Sequence, residues 1–388
     1  MSDDPVRRHG CSSDSDKQEE PLSAMRKIPL TKPYMDQWIK DKVCEVLDSG
    51  YLTEGPVTKQ FEESFRDYVG SRHAIAVTSC TTGLEMALRA LHIGPGDEVI
   101  VPDYTYPATA DAVAIVGASP VIVDVARDTM LIDYDAIERA ITGRTRAVVP
   151  VSGFGNPLDY DRLRRIKDTY GLFVVEDAAC SIGAEYKGRK VGTQADISIF
   201  SLHPRKFITT GEGGVITTHN AEWAAWMESY KHFGMSISAC REGTVFERIG
   251  TNYKLSNILA AVGLGQMRKI DELLTRRRSL AGNYMALLEG CDKVAIPAVT
   301  PDGVHSFQSF CVFVDDRDKV LRGMRAEGIE VQIGTYALHM HPAFKDCTIR
   351  KPLEGSRYAW EHCLALPLYH ELTREDQEYV VEHLCGLL

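Results

Sequence analysis

The chain has 388 residues and a formal net charge of −10, with 44% apolar and 25% charged residues. This length and composition predict a globular protein of two domains. The acidic balance argues against a nucleic-acid-binding protein, although a local cluster of Lys and Arg could still hold an anionic substrate.

Residues 1–24 are rich in Ser, Asp, Glu, Lys and Arg. Such a segment buries too little surface to offset its ordering entropy, so we expect a disordered tail ahead of a fold that begins near Met25. The tail lacks the apolar core of a signal peptide, and no run approaches the roughly 20 apolar residues that cross a bilayer. The ten cysteines show no CxxC pair or metal-ligand spacing. We therefore expect a cytoplasmic protein with reduced thiols, no metal and no membrane contact.

Short apolar runs alternate with helical patterns from about residue 72 onward. This alternation predicts an α/β fold, in which a mixed, mostly parallel seven-stranded sheet lies between helices. Ligands of such sheets bind beyond the carboxyl ends of the strands. The predicted strands span residues 73–77, 98–101, 120–123, 147–150, 172–175, 197–200 and 214–217.

The C-terminal third carries a different pattern. Residues 256–290 read as one long helix, which would link a large domain over 25–255 to a smaller α+β domain over 291–388. A further strand is predicted at 308–314. The consecutive Arg276, Arg277 and Arg278 are expected on a solvated face of the long helix.

Two charged residues follow predicted strands. Asp177 ends the run LFVVED, where its carboxylate would face the ligand crevice, although many such residues bind Mg²⁺ or cap a helix. Lys206 follows the strand at 197–200 and precedes a Gly-rich turn. A lysine in a partly desolvated pocket has a lowered pKa and can form a Schiff base. Considered alone, Lys206 is better explained as a surface residue beside a hairpin.

Together the two residues fit a site for pyridoxal phosphate (PLP), which needs a lysine for its aldehyde and a carboxylate for its pyridine nitrogen. Such a site also needs an aromatic face and a phosphate cup. Thr81 and Thr82 open a helix whose N-terminus can bind an anion. Tyr106 can stack on a ring, and Ser201 can add a hydrogen bond to a phosphate.

The order and spacing of these residues resemble the DegT/DnrJ/EryC1/StrS family of PLP-dependent sugar aminotransferases. The resemblance covers nearly the whole chain after the tail and implies PLP fold type I, the aspartate-aminotransferase-like architecture. It rests on several motifs, among them GYLTEGPVTKQFE near Gly50, TSCTTGLEMAL near Thr78, VVEDAACSIGAEYKGRKVG, SLHPRKFITTGEGGVITT, GTNYKLSNILAAVGLGQ and LALPLYHELT near Leu364.

The resemblance also implies a role for each site residue. Lys206 matches the lysine that forms the internal aldimine, and Asp177 matches the acid that pairs with the pyridine nitrogen. Tyr106 matches the stacking aromatic. The matches to phosphate contacts are Thr81, Thr82, Ser201 and Asn252, of which Asn252 would reach the phosphate of a neighbouring subunit. That last match implies a homodimer with shared active sites.

Cys180 departs from the family pattern. Three residues after the acid, family members commonly carry Gln or His near the phenolic oxygen of the cofactor, whereas a thiol is a poor hydrogen-bond donor. Either another group serves that oxygen, or the contact is missing, or Cys180 simply packs.

The implied reaction moves an amino group from an amino acid, with L-glutamate expected, to a nucleotide-linked keto sugar, with a 4-keto-6-deoxyhexose expected. The kinetics would be ping-pong with pyridoxamine phosphate (PMP) as the intermediate form of the cofactor, in the biosynthesis of amino sugars of lipopolysaccharides or antibiotics. Three alternatives stay open: a keto-cyclitol aminotransferase, a PLP-dependent sugar dehydratase and a non-catalytic regulatory protein. Dehydratases of this type replace the lysine by histidine, and a non-catalytic protein is expected to lose Lys206 or Asp177.

Four further residues could contact substrate. Arg205 could meet a carboxylate or a phosphate, or could be solvated, and His203 lies on the other side of Pro204. His339 and His341 lack further residues at metal-ligand spacing, which favours a role near the substrate over a metal site.

Overall fold

The structure is a computed structural model that describes residues 26–236 and 243–388. The predicted tail over residues 1–24 lies outside the described residues. None of the helices in the two described ranges is long and apolar enough to span a bilayer. The α-helices are α1 Gln37–Ser49, α2 Pro56–Val69, α3 Cys80–Ala90, α4 Ala108–Ile115, α5 Tyr134–Ala140, α6 Tyr160–Tyr170, α7 Ala221–Lys231, α8 Asn257–Met267, α9 Ile270–Leu288, α10 Arg317–Ala326, α11 Glu354–His362 and α12 Arg374–Leu387.

The strands are short, as expected for segments buried between layers of helices. They are β1 His73–Val77, β2 Glu98–Pro102, β3 Tyr104–Thr105, β4 Ser119–Val123, β5 Thr145–Val148, β6 Phe173–Asp177, β7 Glu185–Tyr186, β8 Arg189–Lys190, β9 Ile197–Ser201, β10 Gly214–Thr218, β11 Val294–Ala295, β12 Gly303–Val304, β13 Phe310–Val314, β14 Gln332–Ile333, β15 Tyr336–Ala337, β16 Thr348–Ile349 and β17 Cys363–Leu366.

The main sheet has the strand order β1-β10-β9-β6-β5-β2-β4-β16. Every neighbouring pair is parallel except the two pairs that β10 makes with β1 and β9. The predicted mixed, mostly parallel sheet is therefore confirmed, and its seven predicted strands are all present. An eighth strand, β16, joins one edge from the C-terminal part of the chain. The carboxyl ends of the parallel strands lie along one edge of the sheet, where the fold predicts a ligand site.

Helices cover both faces of this sheet. On one face, Phe61, Phe65 and Phe200 belong to a buried cluster, and on the other Leu84, Met86 and Val99 do. Strands buried on both faces are apolar throughout instead of alternating. This explains why the runs HAIAV and PVIV predict strands correctly although neither alternates with polar residues.

The C-terminal part has a sheet and a core of its own. Its four strands run in the order β11-β13-β17-β14, and Phe310, Val312 and Leu364 pack there against Tyr284 of α9. Ile28 lies in the same core, so the first described residues pack with the last third of the chain. The division into domains at residues 255 and 290 stays a prediction.

The predicted long helix is two helices, because α8 ends at Met267 and α9 begins at Ile270. The prediction that the three arginines face solvent is wrong. Arg277 is 5% exposed. The guanidinium of Arg276 donates to the carbonyls of His370 and Leu372, and that of Arg278 donates to the carbonyls of His305 and Gly183. These arginines satisfy backbone acceptors of the C-terminal part and, through Gly183, of the loop before β7, a use that charge patterning alone does not reveal.

Candidate active site

A cavity of about 630 Å³ lies at the carboxyl ends of β2, β6 and β9. Its volume is in the range typical of small-molecule sites. Six of the eight predicted site residues line it, and these are Thr81, Tyr106, Asp177, Cys180, Ser201 and Lys206. Residues far apart in sequence thus meet where parallel strands end at a common edge.

Asp177 is the last residue of β6, and it is 4% exposed. Its Oδ2 accepts from the hydroxyl of Thr109 at 2.8 Å, and its Oδ1 accepts from the backbone N–H of Ala179 at 3.1 Å. The thiol of Cys80 approaches Oδ1 at 3.8 Å. These contacts fix the plane of the carboxylate at the wall of the cavity.

The electrostatic state of Asp177 indicates what the site can hold. Burial raises the pKa of Asp177, although the hydrogen bonds from Thr109 and Ala179 act in the opposite direction. Among the described residues, no Lys, Arg or His nitrogen forms an ion pair with this carboxylate within 4 Å. A buried carboxylate without a close cation is stabilised by a ligand that brings one. A protonated pyridine nitrogen meets that requirement.

Lys206 lies in the loop that joins β9 to β10. Its side chain is half-buried, and its Nζ lies 3.1 Å from the Sγ of Cys180. Burial acts to lower the pKa of Lys206, but the neighbouring Cys180, Cys80 and Asp177 outweigh it, so this pKa is raised. The sequence predicts a lowered pKa. The difference arises because two thiols and a carboxylate, which are not adjacent to Lys206 in sequence, surround the ammonium.

The N-terminus of α3 forms a second polar wall of the cavity. Ser79 caps this helix by accepting from the N–H of Thr82, and Cys80 and Thr81 follow it in the first turn. No acceptor for the N–H groups of Cys80 and Thr81 lies within the described residues. Unpaired N–H groups at a helix N-terminus bind anions, so this wall can hold a phosphate.

Gly214 allows this wall to lie close to the sheet. A Cβ at Gly214 would lie 2.6 Å from the carbonyl carbon of Ser79 and 2.7 Å from the nitrogen of Cys80. A side chain there would displace the start of α3 from β10. The Gly-rich turn after Lys206 therefore brings backbone close to the phosphate-binding wall.

Two predicted residues do not line the cavity. Thr82 uses its hydroxyl and its N–H in a capping box with Ser79, so its side chain supports the helix and does not face the cavity. Asn252 is exposed and accepts from the ammonium of Lys254 at 2.5 Å. Its predicted contact belongs to a neighbouring subunit and stays a prediction.

Tyr106 forms the aromatic side of the cavity and is 65% exposed. Its ring lies 6.1 Å from that of Tyr336, which belongs to β15. Because β15 pairs with β3 directly before Tyr106, the C-terminal part of the chain sets the position of this wall. A flat ligand can lie against the free face of Tyr106.

The remaining candidates separate into two groups. His203 and Arg205 line the cavity, and Arg205 is exposed. His339 does not, because its Nδ1 lies 2.6 Å from Oδ2 of the buried Asp103 and supports the loop after β2. The ring of His341 packs edge-on against Tyr336. No group of three or more His, Cys, Asp or Glu placed for metal binding is found in the part of the chain that the structure describes.

Sequence reasoning misses three residues that shape the site, namely Cys80, Thr109 and Gln308. Cys80 lies inside the quoted motif TSCTTG, and Thr109 lies three residues after Tyr106. Their closeness in sequence to predicted site residues indicates that both belong to the site. The amide of Gln308 donates from Nε2 to the carbonyl of Arg205 at 2.8 Å and accepts at Oε1 from the N–H of Phe207 at 2.6 Å. Nothing in the sequence near Gln308 indicates this contact.

Comparison with known proteins gives one family and close structural neighbours. Residues 33–385 match the model of the DegT/DnrJ/EryC1/StrS aminotransferase family. Spr1654 of Streptococcus pneumoniae, assigned as a sugar aminotransferase and solved in its PMP form, is 28% identical with a TM-score of 0.88, over 93% of this chain and 99% of that one. Its PLP form has also been solved.

Two further structures have higher identity. A DegT/DnrJ/EryC1/StrS aminotransferase from Brucella abortus is 31% identical with a TM-score of 0.84, over 90% of this chain and 94% of that one. DesV of S. venezuelae, solved with a ketimine intermediate, is 33% identical with a TM-score of 0.86, over 93% of this chain and 98% of that one. The similarity therefore extends over nearly the full length of each neighbour.

The contact between Cys180 and Lys206 gives a prediction for the cofactor-free protein. Cys180→Ala removes a group that raises the pKa of Lys206, while the burial that lowers this pKa remains. The pKa of Lys206 should therefore fall. Competitive labelling with acetic anhydride across a pH series, with mass spectrometry of the peptide that contains Lys206, measures it. An unchanged or higher pKa in the variant would contradict the assigned contact.

Proposed function

The chain belongs to the DegT/DnrJ/EryC1/StrS aminotransferase family and is a PLP-dependent aminotransferase, and on this premise we propose that it transfers an amino group from an amino acid to a keto sugar. The proposal rests on one observation. The amine of Lys206 and the buried carboxylate of Asp177 line a single cavity, with the open N-terminus of α3 at its wall. These are the groups that a PLP site requires.

PLP, when bound, supplies an aldehyde that links covalently to an amine and a pyridine ring that accepts the electrons released at the α-carbon. Lys206 would form that link and, once displaced by the amino donor, move the proton at its Nζ. Moving a proton from the α-carbon of the donor to the carbon that carried the aldehyde of the cofactor would call for a single mobile base. The half-buried Nζ of Lys206 lies on the cavity and can do both.

Asp177 would keep the pyridine nitrogen protonated. Its carboxylate has no close cation among the described residues, and burial raises its pKa. A cationic ring nitrogen relieves both conditions, because an opposite charge favours the ionised carboxyl group. The hydroxyl of Thr109 then holds Oδ2 in place, and the N–H of Ala179 holds Oδ1.

Thr81, Ser201 and the first N–H groups of α3 would hold the phosphate. These groups combine hydroxyl donors with the positive end of a helix, which suits a dianion. Tyr106 would cover the ring, and the thiol of Cys180 lies 3.1 Å from the amine of Lys206. Cys180 thus occupies the lysine side of the cavity.

We propose L-glutamate as the donor and a nucleotide-linked 4-keto-6-deoxyhexose as the acceptor, in a ping-pong cycle. One observation on the cavity supports an acidic substrate. Arg205 is an exposed cation on the cavity, and arginine pairs with carboxylate and phosphate groups. A sugar acceptor is supported by two similar proteins. One is described as a sugar aminotransferase of Streptococcus pneumoniae, and the other, PseC of Helicobacter pylori, as an aminotransferase involved in the biosynthesis of pseudoaminic acid.

We further propose a homodimer with shared active sites in the cytoplasm. Large apolar side chains are exposed at residues 51–52, at residue 233 and at residues 245–249, ahead of Asn252 in the sequence, as expected for a surface that a second copy covers. They are Tyr51, Leu52, Phe233, Val245, Phe246 and Ile249. The eight cysteines within the described residues are free thiols, which fits a reducing compartment.

Two alternatives within the same fold remain distinguishable. A sugar dehydratase of this type carries histidine in place of the lysine, and Lys206 on the cavity favours the aminotransferase. A keto-cyclitol acceptor would use the same residues of the chain, so only the choice of acceptor separates it from the proposal.

Lys206→Ala should lower kcat by about 10⁴-fold or more, because it removes both the covalent attachment point and the mobile base. The variant should still bind PMP, which needs no lysine. Turnover and PMP binding by absorbance measure the two effects, with Lys187→Ala, a surface substitution between β7 and β8, as the matched control. Wild-type turnover in Lys206→Ala would exclude the assigned role.

A panel of nucleotide-linked keto sugars, free keto sugars and keto-cyclitols, each incubated with glutamate and PLP, tests the substrate proposal. Mass spectrometry reads the exchange of a carbonyl oxygen for an amino group. We expect product from a nucleotide-linked 4-keto-6-deoxyhexose. Product from keto-cyclitols alone would replace the proposed acceptor, and product from none would leave the sugar proposal without support.

A further inference from the structure

The loop that carries Lys206 has little regular structure of its own. It runs from the end of β9 at Ser201 to the start of β10 at Gly214, and the N–H of Lys206 donates to the carbonyl of His203 at 2.8 Å. The backbone groups on either side of Lys206 need other partners, because buried N–H and C=O groups are rarely left unpaired. Those partners fix the position of the Lys206 backbone, from which the side chain extends.

One side chain supplies both partners. Nε2 of Gln308 donates to the carbonyl of Arg205 at 2.8 Å, and Oε1 of Gln308 accepts from the N–H of Phe207 at 2.6 Å. The orientation of the amide is unambiguous, because a carbonyl can only accept and a backbone N–H can only donate. A single amide therefore spans the residues before and after Lys206.

Gln308 is itself held firmly. It is 9% exposed and lies two residues before β13, in the C-terminal part of the chain. Its carbonyl accepts from the buried guanidinium of Arg277 at 3.5 Å. The same guanidinium donates to the carbonyl of Leu368 and lies 5.1 Å from the centre of the Phe207 ring. The contacts of Gln308 thus connect α9 and the C-terminal sheet to the loop of Lys206.

We propose that Gln308 is a positioning residue, which fixes the backbone on both sides of Lys206 so that its amine is placed to bond the aldehyde of PLP. This inference rests on the proposed function of Lys206. A residue that acts only through the position of an amine affects ligands that bond to the amine and spares ligands that do not. A small misplacement of a reacting group can lower the reaction rate by about a hundredfold.

The test compares two forms of the cofactor. PLP forms a covalent bond with Lys206, whereas PMP carries an amine in place of the aldehyde and cannot. In Gln308→Met, which keeps the size of the side chain and removes both hydrogen bonds, we expect the Kd for PLP to rise about tenfold or more while the Kd for PMP changes less than about threefold. Titration of the cofactor-free protein, followed by absorbance and fluorescence, gives both constants.

Gln377→Met is the matched control. Gln377 is a fully buried glutamine of α12 that also makes two side-chain hydrogen bonds, to the carbonyl of Leu280 at 2.8 Å and from the amide of Asn283 at 3.2 Å. Neither hydrogen bond involves a residue of the loop that carries Lys206. Thermal denaturation should show that both variants lose stability, whereas only Gln308→Met should lose PLP selectively.

The outcomes separate the two claims. Equal losses of PLP and PMP in Gln308→Met, or no loss of either, would overturn the positioning role while leaving the function of Lys206 in place. A wild-type protein that forms no bond between PLP and Lys206 would overturn both. If Gln308→Met does not fold, Gln308→Glu takes its place, because it keeps an acceptor for Phe207 and puts a carboxylate oxygen, which cannot donate to the carbonyl of Arg205, in place of the amide nitrogen. The same selective loss of PLP is then expected, and an unselective loss would again count against the role.

Discussion

The site depends on the buried carboxylate of Asp177 at the end of β6. Among the described residues, no Lys, Arg or His nitrogen lies within 4 Å of it, and the ammonium of Lys206 acts on it only from farther away. Burial makes the charge of this carboxylate unfavourable, and its two fixed hydrogen bonds are insufficient to reverse the upward shift of its pKa. A cationic ligand, such as the protonated pyridine nitrogen proposed above, would stabilise this carboxylate. The pKa of Lys206 is raised because the thiols of Cys180 and Cys80 and the carboxylate of Asp177 favour its charged form.

The parallel sheet explains why these groups meet. β1 leads into α3 and its open N-terminus, β2 leads towards Tyr106, β6 ends at Asp177, and β9 leads into the loop of Lys206. Because these strands run in the same direction, their carboxyl ends meet at one edge, and each delivers one part of the site. The C-terminal part then closes the cavity through β15 beside Tyr106 and through Gln308 behind Lys206. A rigid arrangement of this kind places reacting groups before the substrate arrives.

Much of this arrangement can be predicted from the sequence. Apolar runs of four or five residues locate the strands of the sheet, because strands buried on both faces need apolar side chains throughout. The position of Asp177 and Lys206 after such runs identifies the pair. The sequence also predicts Tyr106 and Ser201 as site residues, the family resemblance matches both, and both line the cavity.

The rest depends on contacts between distant segments. Arg277 is buried because the carbonyls of Gln308 and Leu368 converge on it, and a run of three arginines carries no sign of that. Thr82 turns away from the cavity because its hydroxyl is used by the helix cap. The pKa of Lys206 is raised and not lowered, because Cys180 approaches it from the turn after β6 and Cys80 from the start of α3. In each case, local sequence gives the residue type but not its partner.

The central claim is that the amine of Lys206 is the group that PLP bonds. Incubation of the purified protein with PLP, reduction with borohydride and peptide mapping by mass spectrometry test it most directly. The account predicts one pyridoxyl group per chain, on the peptide that contains Lys206. A label on a different lysine, or no label at saturating PLP, would contradict it.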